Sequence, residues 1–417
     1  MPTTTVFAVK LLVSVLLCGI IWLALRYRSQ LEPLVYKRQN LVIAGLLVCL
    51  RVVPFVGIFL ILNETPRGDI PFFYWKADLA HQGKLVYRDF WSFHSPLFSY
   101  ILALPMFIWN SPKAIVALMG IGEAVCLWVT YRFYRKNAPD DVFWKTVVYL
   151  LLPAPLIICL LGGQEDIWLW GFGLWAVLVW QQTRNAFKVG LVLALALLTL
   201  KAIIVIIVFP VFFMLAYRGM GVRFAGALLS VGIPVMALLY LMLGWLFLMP
   251  VQHAELPFAP NLTTVIRPFT GGLLAKIPLQ HLNWFSMVLT LTVATLTGWR
   301  FRAKPIEAVF PALWVITFGC FMLFLPSAMA YYLFLFLIVL VFELTDLTNP
   351  RQVAMLLIIN ILVVVQPFVM IYSGQPFFDS FRPLRAPLLL LEYGLEVAFV
   401  SSVIYYVRQA WLRLDAR

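Results

Sequence analysis

The chain alternates long apolar runs with short polar segments over nearly its whole length. The runs are continuous rather than alternating with a period of two, which predicts membrane-crossing helices rather than strands of a barrel. One polar segment, residues 63–96, combines acids, bases, aromatics and two histidines. The apolar runs fall near 7–25, 40–62, 96–110, 113–131, 146–162, 167–182, 189–200, 202–217, 224–249, 282–298, 306–325, 330–346, 352–371 and 388–407.

Basic residues between the runs predict the topology, because cytoplasmic loops are rich in Lys and Arg. This assignment requires run 96–110, which contains Pro105 and is short of the roughly 20 residues of a crossing, to lie along the outer interface. The same assignment requires the apolar stretch around Lys201 to form two short helices with a bend near Lys201. The alternative is one long tilted helix. We predict an all-α polytopic integral membrane protein of about 13 transmembrane helices. Its N-terminus lies outside, its C-terminus is cytoplasmic, and residues 1–417 form one domain.

Composition supports this class: 63% of residues are hydrophobic, 12% are charged and the mean hydropathy is +0.95. A net charge of +13 can indicate nucleic acid, but basic cytoplasmic loops account for it, so we expect no nucleic-acid partner. The five cysteines lie inside apolar runs without metal spacing, the histidines are isolated (His253 among them), and no phosphate-cradling glycine loop occurs. We therefore expect no metal, cofactor or nucleotide.

Two acidic clusters fall in segments predicted to be outside, in the loops 63–112 and 162–166. Asp69 follows a span, where desolvation favours a general base; the alternative is a solvated loop acid, which would also suit the N-cap of the next helix. Asp78 is more simply structural, and Asp89 would pair with Arg88 or cap a turn. Gln164, Glu165 and Asp166 lie at the start of a helix. Acids there interact favourably with the helix dipole, and three hydrogen-bonding side chains at one turn equally suit the binding of a sugar.

Basic residues form a third set on the predicted outer side, in segments that include 250–281 and 372–386. Lys201 has apolar neighbours on both sides, so a functional partner is the default expectation. Arg267, Arg382 and Arg385 suit phosphate groups, with general attraction to anionic lipid as the alternative. Within spans, Arg51, Glu123, Glu392 and Glu396 would be internal ion pairs or hydrogen-bonded groups, or a proton or ion path. Tyr332 is an interfacial aromatic or stacks on a sugar ring.

The first large loop contains a series of residues in a distinctive order: Gly68-Asp69, Ala77, Gly83, Tyr87, Asp89-Phe90 and Ser95-Pro96-Leu97. On these residues, and more loosely on the segments GGQED, GLVLALALLTLK, NLTTVIRPF and LPSAMAYYLF, the chain resembles the GT-C glycosyltransferases. Those enzymes take a sugar from a polyprenyl-phosphate carrier. Residues 70–71 are Ile-Pro, so the second acid of a metal-binding DxD or ExD pattern is missing.

The resemblance implies roles for individual residues. Asp69 would be the general base, and Lys201 with Arg267, Arg382 and Arg385 would hold the donor phosphate. Sugar and acceptor would contact a larger set: Gln164, Glu165, Asp166, Tyr87, Asp89, His94 and Tyr332. These roles presuppose that the catalytic loop 63–112 and the other outer segments meet in space.

The expected function is metal-independent, inverting transfer of a sugar, with mannose as the candidate, from polyprenyl phosphate to a hydroxyl of a glycolipid, polysaccharide or protein. Membrane lipids surround the enzyme, and the expected location is a bacterial inner membrane with the site facing the periplasm. The alternative is a transporter or flippase for a lipid-linked sugar. A non-catalytic assembly subunit is the third possibility.

Overall fold

A computed structural model describes residues 3–249, 256–374 and 377–416, and these residues are helical with irregular connections. No strand occurs in these ranges, where an isolated bridge joins Val86 to Phe90. The α-helices are α1 Thr3–Arg26, α2 Arg28–Val35, α3 Gln39–Leu47, α4 Ile70–His81, α5 Phe98–Ala103, α6 Pro112–Asn137, α7 Val142–Leu151, α8 Ile167–Thr183, α9 Ala186–Thr199, α10 Val205–Ala216, α11 Gly221–Leu243, α12 Leu262–Ile266, α13 Leu279–Arg300, α14 Ile306–Phe324, α15 Leu337–Val339, α16 Pro350–Ser373 and α17 Pro387–Ala416.

Shorter helical segments extend or join these helices. Tighter 3-10 segments are Tyr36–Arg38, Leu104–Phe107, Ala202–Ile204, Gly244–Leu248, Arg267–Thr270, Leu274–Lys276, Ala330–Leu335 and Pro383–Arg385. Wider π segments are Val48–Val52, Phe55–Ile61, Pro155–Leu160 and Leu340–Leu344. Residues 250–255 and 375–376 lie outside the described ranges. They include His253 and parts of the predicted outer loops 250–281 and 372–386.

Seven helices in the described ranges are long and apolar enough to cross a membrane, so the chain is an integral membrane protein. Four further apolar helices have only 10–17 residues: Phe98–Phe107, Val142–Leu151, Ala186–Thr199 and Ala202–Ala216. The seven are Thr4–Arg26, Arg28–Ile61, Pro112–Asn137, Gly221–Leu248, Ile306–Phe324, Pro350–Ser373 and Pro387–Ala416. The all-helical membrane class is thus confirmed, whereas the total of about 13 crossings stays a prediction.

Polar residues define where several helices begin. The side chains of Ser111, Asn185 and Asn349 accept hydrogen bonds from the first backbone N–H groups of α6, α9 and α16. Proline follows the cap in α6 and α16, where its missing N–H costs nothing. These caps separate the apolar runs into discrete helices.

Helix α14 is the most buried of the seven, with 89% of its apolar window inside the protein. Trp314 at its middle packs edge-on against Trp170 of α8, with ring centroids 5.4 Å apart. Its indole N–H donates to the Leu335 carbonyl at 2.9 Å. In contrast, only 6% of the corresponding windows of Arg28–Ile61 and Gly221–Leu248 is buried, so these helices offer apolar surface to lipid.

The helix is interrupted at Lys201, as the two-helix interpretation predicts. Helix α9 ends at Thr199, Lys201 is extended, and α10 begins at Val205. Arg184, just before α9, pairs with Glu307, and Arg218, just after α10, donates to the carbonyls of Arg302 and Lys304. The start of α9 and the end of α10 therefore both lie beside segment 302–307, which excludes one long tilted helix.

The predicted interfacial run 96–110 is a ten-residue helical segment, Phe98–Phe107. At 1.5 Å per residue, a helix of that length reaches only about half of a bilayer core of about 30 Å. Its start is fixed to the broken helix, because Ser95 and Leu97 donate backbone hydrogen bonds to the carbonyls of Leu200 and Leu198, both at 3.0 Å. The loop thus ends directly beside Lys201.

Candidate active site

Two glycine-containing turns cross in close contact and fix the position of Asp69. The backbone N–H of Asp69 donates to the Gly162 carbonyl at 3.1 Å. Gly68 has φ +66°, and a Cβ there would lie 2.4 Å from that same carbonyl oxygen. Gly163 has φ +77°, and a Cβ there would overlap the Ile70 side chain at 2.4 Å. Only glycine allows both the backbone geometry and the approach.

The Asp69 carboxylate lies beside Gln164 because of this crossing. The Gln164 amide donates to Asp69 Oδ2 at 2.6 Å. Asp69 occupies the N-cap position of α4, but its side chain makes no capping hydrogen bond, so capping does not use the carboxylate. Burial raises the pKa of Asp69, although the Gln164 hydrogen bond opposes that rise. A raised pKa makes this carboxylate a better proton acceptor.

Glu165, Asp166 and Lys201 form a buried ionic cluster next to Asp69. Lys201 Nζ lies 2.6 Å from Asp166 Oδ1 and 2.8 Å from Glu165 Oε1, and both acids are only 1% exposed. Burial opposes ionisation of Glu165, but Lys201 and the His94 hydrogen bond outweigh it and lower the pKa of Glu165. Burial together with the neighbouring Glu165 raises the pKa of Asp166, despite Lys201. The ammonium of Lys201 is already offset by these two acids.

His94 joins the cluster from the loop 63–112. Its Nε2 lies 3.1 Å from Glu165 Oε1, and its ring stacks on Phe98 with centroids 4.0 Å apart. Burial lowers the pKa of His94 to about 3, even with Glu165 beside it, so the ring is neutral and donates from Nε2. Tyr87, also buried, donates its hydroxyl to the His94 carbonyl. Tyr87 therefore positions His94.

Tyr332 completes the side of the cluster formed by the segment 326–335. Its ring centroid is 5.9 Å from Lys201 Nζ, and it packs edge-on against Tyr331 with centroids 4.9 Å apart. Both tyrosines are half-buried. An aromatic face near the cluster suits the apolar face of a sugar ring.

Lys76 is a further cation that the sequence reasoning missed. It lies on α4, is fully buried, and its Nζ makes no hydrogen bond to described protein atoms. The ammonium sits 3.7 Å from the Phe72 ring centroid, 4.3 Å from Phe93 and 5.3 Å from Trp91. Burial lowers the pKa of Lys76 to about 7, although Glu165 and Asp69 oppose that shift. The signal available in the sequence was a lysine four residues after Phe72, among aromatics.

Four predicted site residues have no described contact with this cluster. Asp89 pairs with Arg88 at 2.8 Å and accepts from the Leu85 N–H at 2.7 Å, which confirms the alternative of an ion pair and a turn cap. Arg267 pairs with Asp379 at 2.6 Å, and Arg382 and Arg385 are exposed. Their predicted roles in binding sugar or phosphate remain predictions.

Several buried polar atoms of the cluster have no hydrogen-bond partner among the described protein atoms. They are Gln164 Oε1, Glu165 Oε2, Asp166 Oδ2, His94 Nδ1 and Lys76 Nζ. Buried polar groups are nearly always paired, so this concentration suits a polar ligand. In the part of the chain that the structure describes, no three His, Cys, Asp or Glu side chains are grouped as metal ligands.

The fold and this cluster define an integral membrane protein with a buried cluster of acidic and basic side chains. No protein-family model and no curated protein sequence matches the chain. Function therefore has to be argued from the chemistry of the site.

Proposed function

We propose that the protein is a membrane glycosyltransferase that moves a sugar from a polyprenyl-phosphate carrier to an acceptor hydroxyl. The observation that carries the proposal is the Asp69 carboxylate, which Gln164 holds beside Glu165, Asp166, Lys201 and His94. Such an arrangement supplies a proton acceptor, hydrogen-bond partners for hydroxyl groups and cations for a phosphate within one site.

The proposed reaction is a single displacement. The acceptor oxygen attacks the anomeric carbon, the bond from that carbon to the phosphate oxygen breaks, and Asp69 takes the acceptor proton. Polyprenyl phosphate leaves with the bonding electron pair, and the anomeric configuration inverts. The raised pKa of Asp69 supports the role of general base.

Charge in the site modifies the expected role of Lys201. Two carboxylates offset its ammonium, so Lys201 alone offers little net attraction for a phosphate. Lys76, which has no hydrogen-bond partner among the described atoms, is the more available cation nearby. Arg267, Arg382 and Arg385 would contribute to phosphate binding only if the donor extends from the Asp69 cluster to these arginines.

The finer architecture belongs to the same proposal. The short helices Ala186–Thr199 and Ala202–Ala216 would be paired crossings, which brings the total toward about 13 crossings of a GT-C-like fold. The Asp69 site would face the periplasm from a bacterial inner membrane. Mannose is the candidate sugar, and the acceptor would be a glycolipid, a polysaccharide or a protein.

The test is sugar transfer in nanodiscs from a panel of polyprenyl-phosphate sugars, with wild type beside Asp69→Asn. Because general-base catalysis contributes about 10²–10⁴-fold, the variant should lose activity by that factor. Asp78→Asn is the matched control, since Asp78 lies on the same helix and bonds Gln82 at 2.8 Å. Chelator should leave wild-type activity unchanged.

Full activity in a folded Asp69→Asn variant would remove Asp69 from the mechanism. A folded wild type that binds the lipids but turns over none would favour the transporter. The Arg51–Glu123 contact weakens that alternative, because a bidentate ion pair at 2.7 Å is a closed structural unit. Glu392 and Glu396 remain as its support.

A further inference from the structure

A second acidic site lies away from the Asp69 cluster, between α12, α16 and α17. Glu392 and Glu396 are one helical turn apart on α17, and both are fully buried. Gln366 of α16 faces Glu392, and Thr264 of α12 faces Glu396. Three separate helices thus converge on one pair of carboxyl groups.

The polar side chains in this site lie close to one another, but their oxygen and nitrogen atoms are poorly aligned for hydrogen bonding. None of the four carboxylate oxygens of Glu392 and Glu396 has a partner in hydrogen-bond geometry, and neither Oε1 nor Nε2 of the fully buried Gln366 has one. Among the described residues, neither glutamate belongs to an ion pair. Buried acids without pairing are costly, so a fold that keeps two of them suggests a missing partner.

We infer that Glu392, Glu396, Gln366 and Thr264 bind one small monovalent cation of the sodium class. The donors are carboxylate, amide and hydroxyl oxygens, which are the ligands that hard cations prefer. Thr264 Oγ1 donates its proton to the Asn261 carbonyl and accepts the Asn261 N–H, so one lone pair remains to act as a ligand.

Charge balance favours a monovalent ion. With one proton shared between them, two adjacent carboxyl groups in apolar surroundings carry a single negative charge. A sodium ion neutralises that remaining charge without displacing the proton. A divalent ion would have to displace it, and magnesium gives up its water shell reluctantly.

A cavity lies next to the site. Thr264 also lines a cavity of about 370 Å³, together with Asn261, Thr263, Arg267, Lys276 and Pro326. The charge of Arg267 is offset by its pair with Asp379 at 2.6 Å, which reduces its repulsion of an entering cation. Tyr393, which also faces Glu396, donates its hydroxyl to the Val265 carbonyl.

The experiment compares thermal unfolding of the purified full-length protein in sodium, potassium and choline chloride at constant ionic strength. Wild type should show a saturable rise in unfolding midpoint with sodium, a smaller rise with potassium and none with choline. Glu392→Gln and Glu396→Gln should abolish the sodium response. Glu307→Gln, which alters an acid paired with Arg184, should respond as wild type does.

Equal midpoints in sodium and choline would overturn the inference, and so would a response to calcium alone or a full sodium response in Glu396→Gln. If the variants do not fold, the binding of radioactive sodium to wild type tests the inference instead. Saturable binding near one ion per chain, displaced by unlabelled sodium but not by choline, supports the site. The absence of saturable binding rejects it.

Discussion

Two buried groups of charges in this protein differ in how completely they are satisfied. Arg51 and Glu123 form a bidentate pair with both contacts at 2.7 Å, and Tyr149 donates to the same carboxylate at 3.2 Å. The Asp69 cluster contains more charged residues but leaves oxygen and nitrogen atoms of several side chains without a hydrogen-bond partner among the described residues. The first group is closed and structural, whereas the second is open to a ligand.

Replacing a glutamate by glutamine in each group is the clearest test of this difference, and the larger effect on stability is expected in the Arg51–Glu123 pair. Glu123→Gln leaves Arg51 buried without a counter-charge and should cost about 3–5 kcal/mol of stability. The free energy of unfolding in detergent measures this. Arg51→Met combined with Glu123→Gln should recover most of the loss, because no uncompensated charge remains. A single variant as stable as wild type would show that the pair is not the structural unit inferred here.

Lys76→Met tests whether the cation of the open group destabilises the fold. Burial lowers the pKa of Lys76 to about 7 in the folded protein. Between pH 7 and the ordinary lysine pKa, Lys76 is therefore protonated in the unfolded chain but largely neutral in the folded protein. Wild type should therefore lose stability relative to the variant as pH falls from 9.5 to 7, by about 3 kcal/mol, and the gap should become constant below about pH 6. Unfolding midpoints across this range measure the gap; a gap independent of pH would contradict the prediction.

Glu165→Gln should have the smallest effect on stability, about 1 kcal/mol, because Lys201 keeps Asp166 as a counter-charge. Transfer activity should nevertheless fall at least about tenfold, since the variant removes a charge that His94 and Lys201 both contact. Unfolding midpoint and initial rate, measured on the same preparation, separate the two effects. A large loss of stability with unchanged activity per folded molecule would place Glu165 in the closed, structural class instead.

The sequence predicted the elements of this fold better than their contacts. Basic residues at both ends of the stretch around Lys201 identified the broken helix, and the shortness of run 96–110 identified a segment unable to cross. The pairing of Lys201 with Glu165 and Asp166 was not predictable, because hydropathy does not state which helices touch. The aromatic surroundings of Lys76 were missed for the same reason, since Phe93 and Trp91 come from a loop beyond the helix that carries the lysine.

The crossing of Gly68 and Gly162 has a consequence for biosynthesis. The Asp69 loop is made long before the turn at 162–166 and Lys201 leave the ribosome. At about 5–20 residues per second, it waits on the order of ten seconds before its partners exist. During that time Lys76 and His94, which end up buried, remain hydrated on the surface of a half-inserted chain. The Asp69 loop therefore docks late, after the helices that receive it have entered the bilayer.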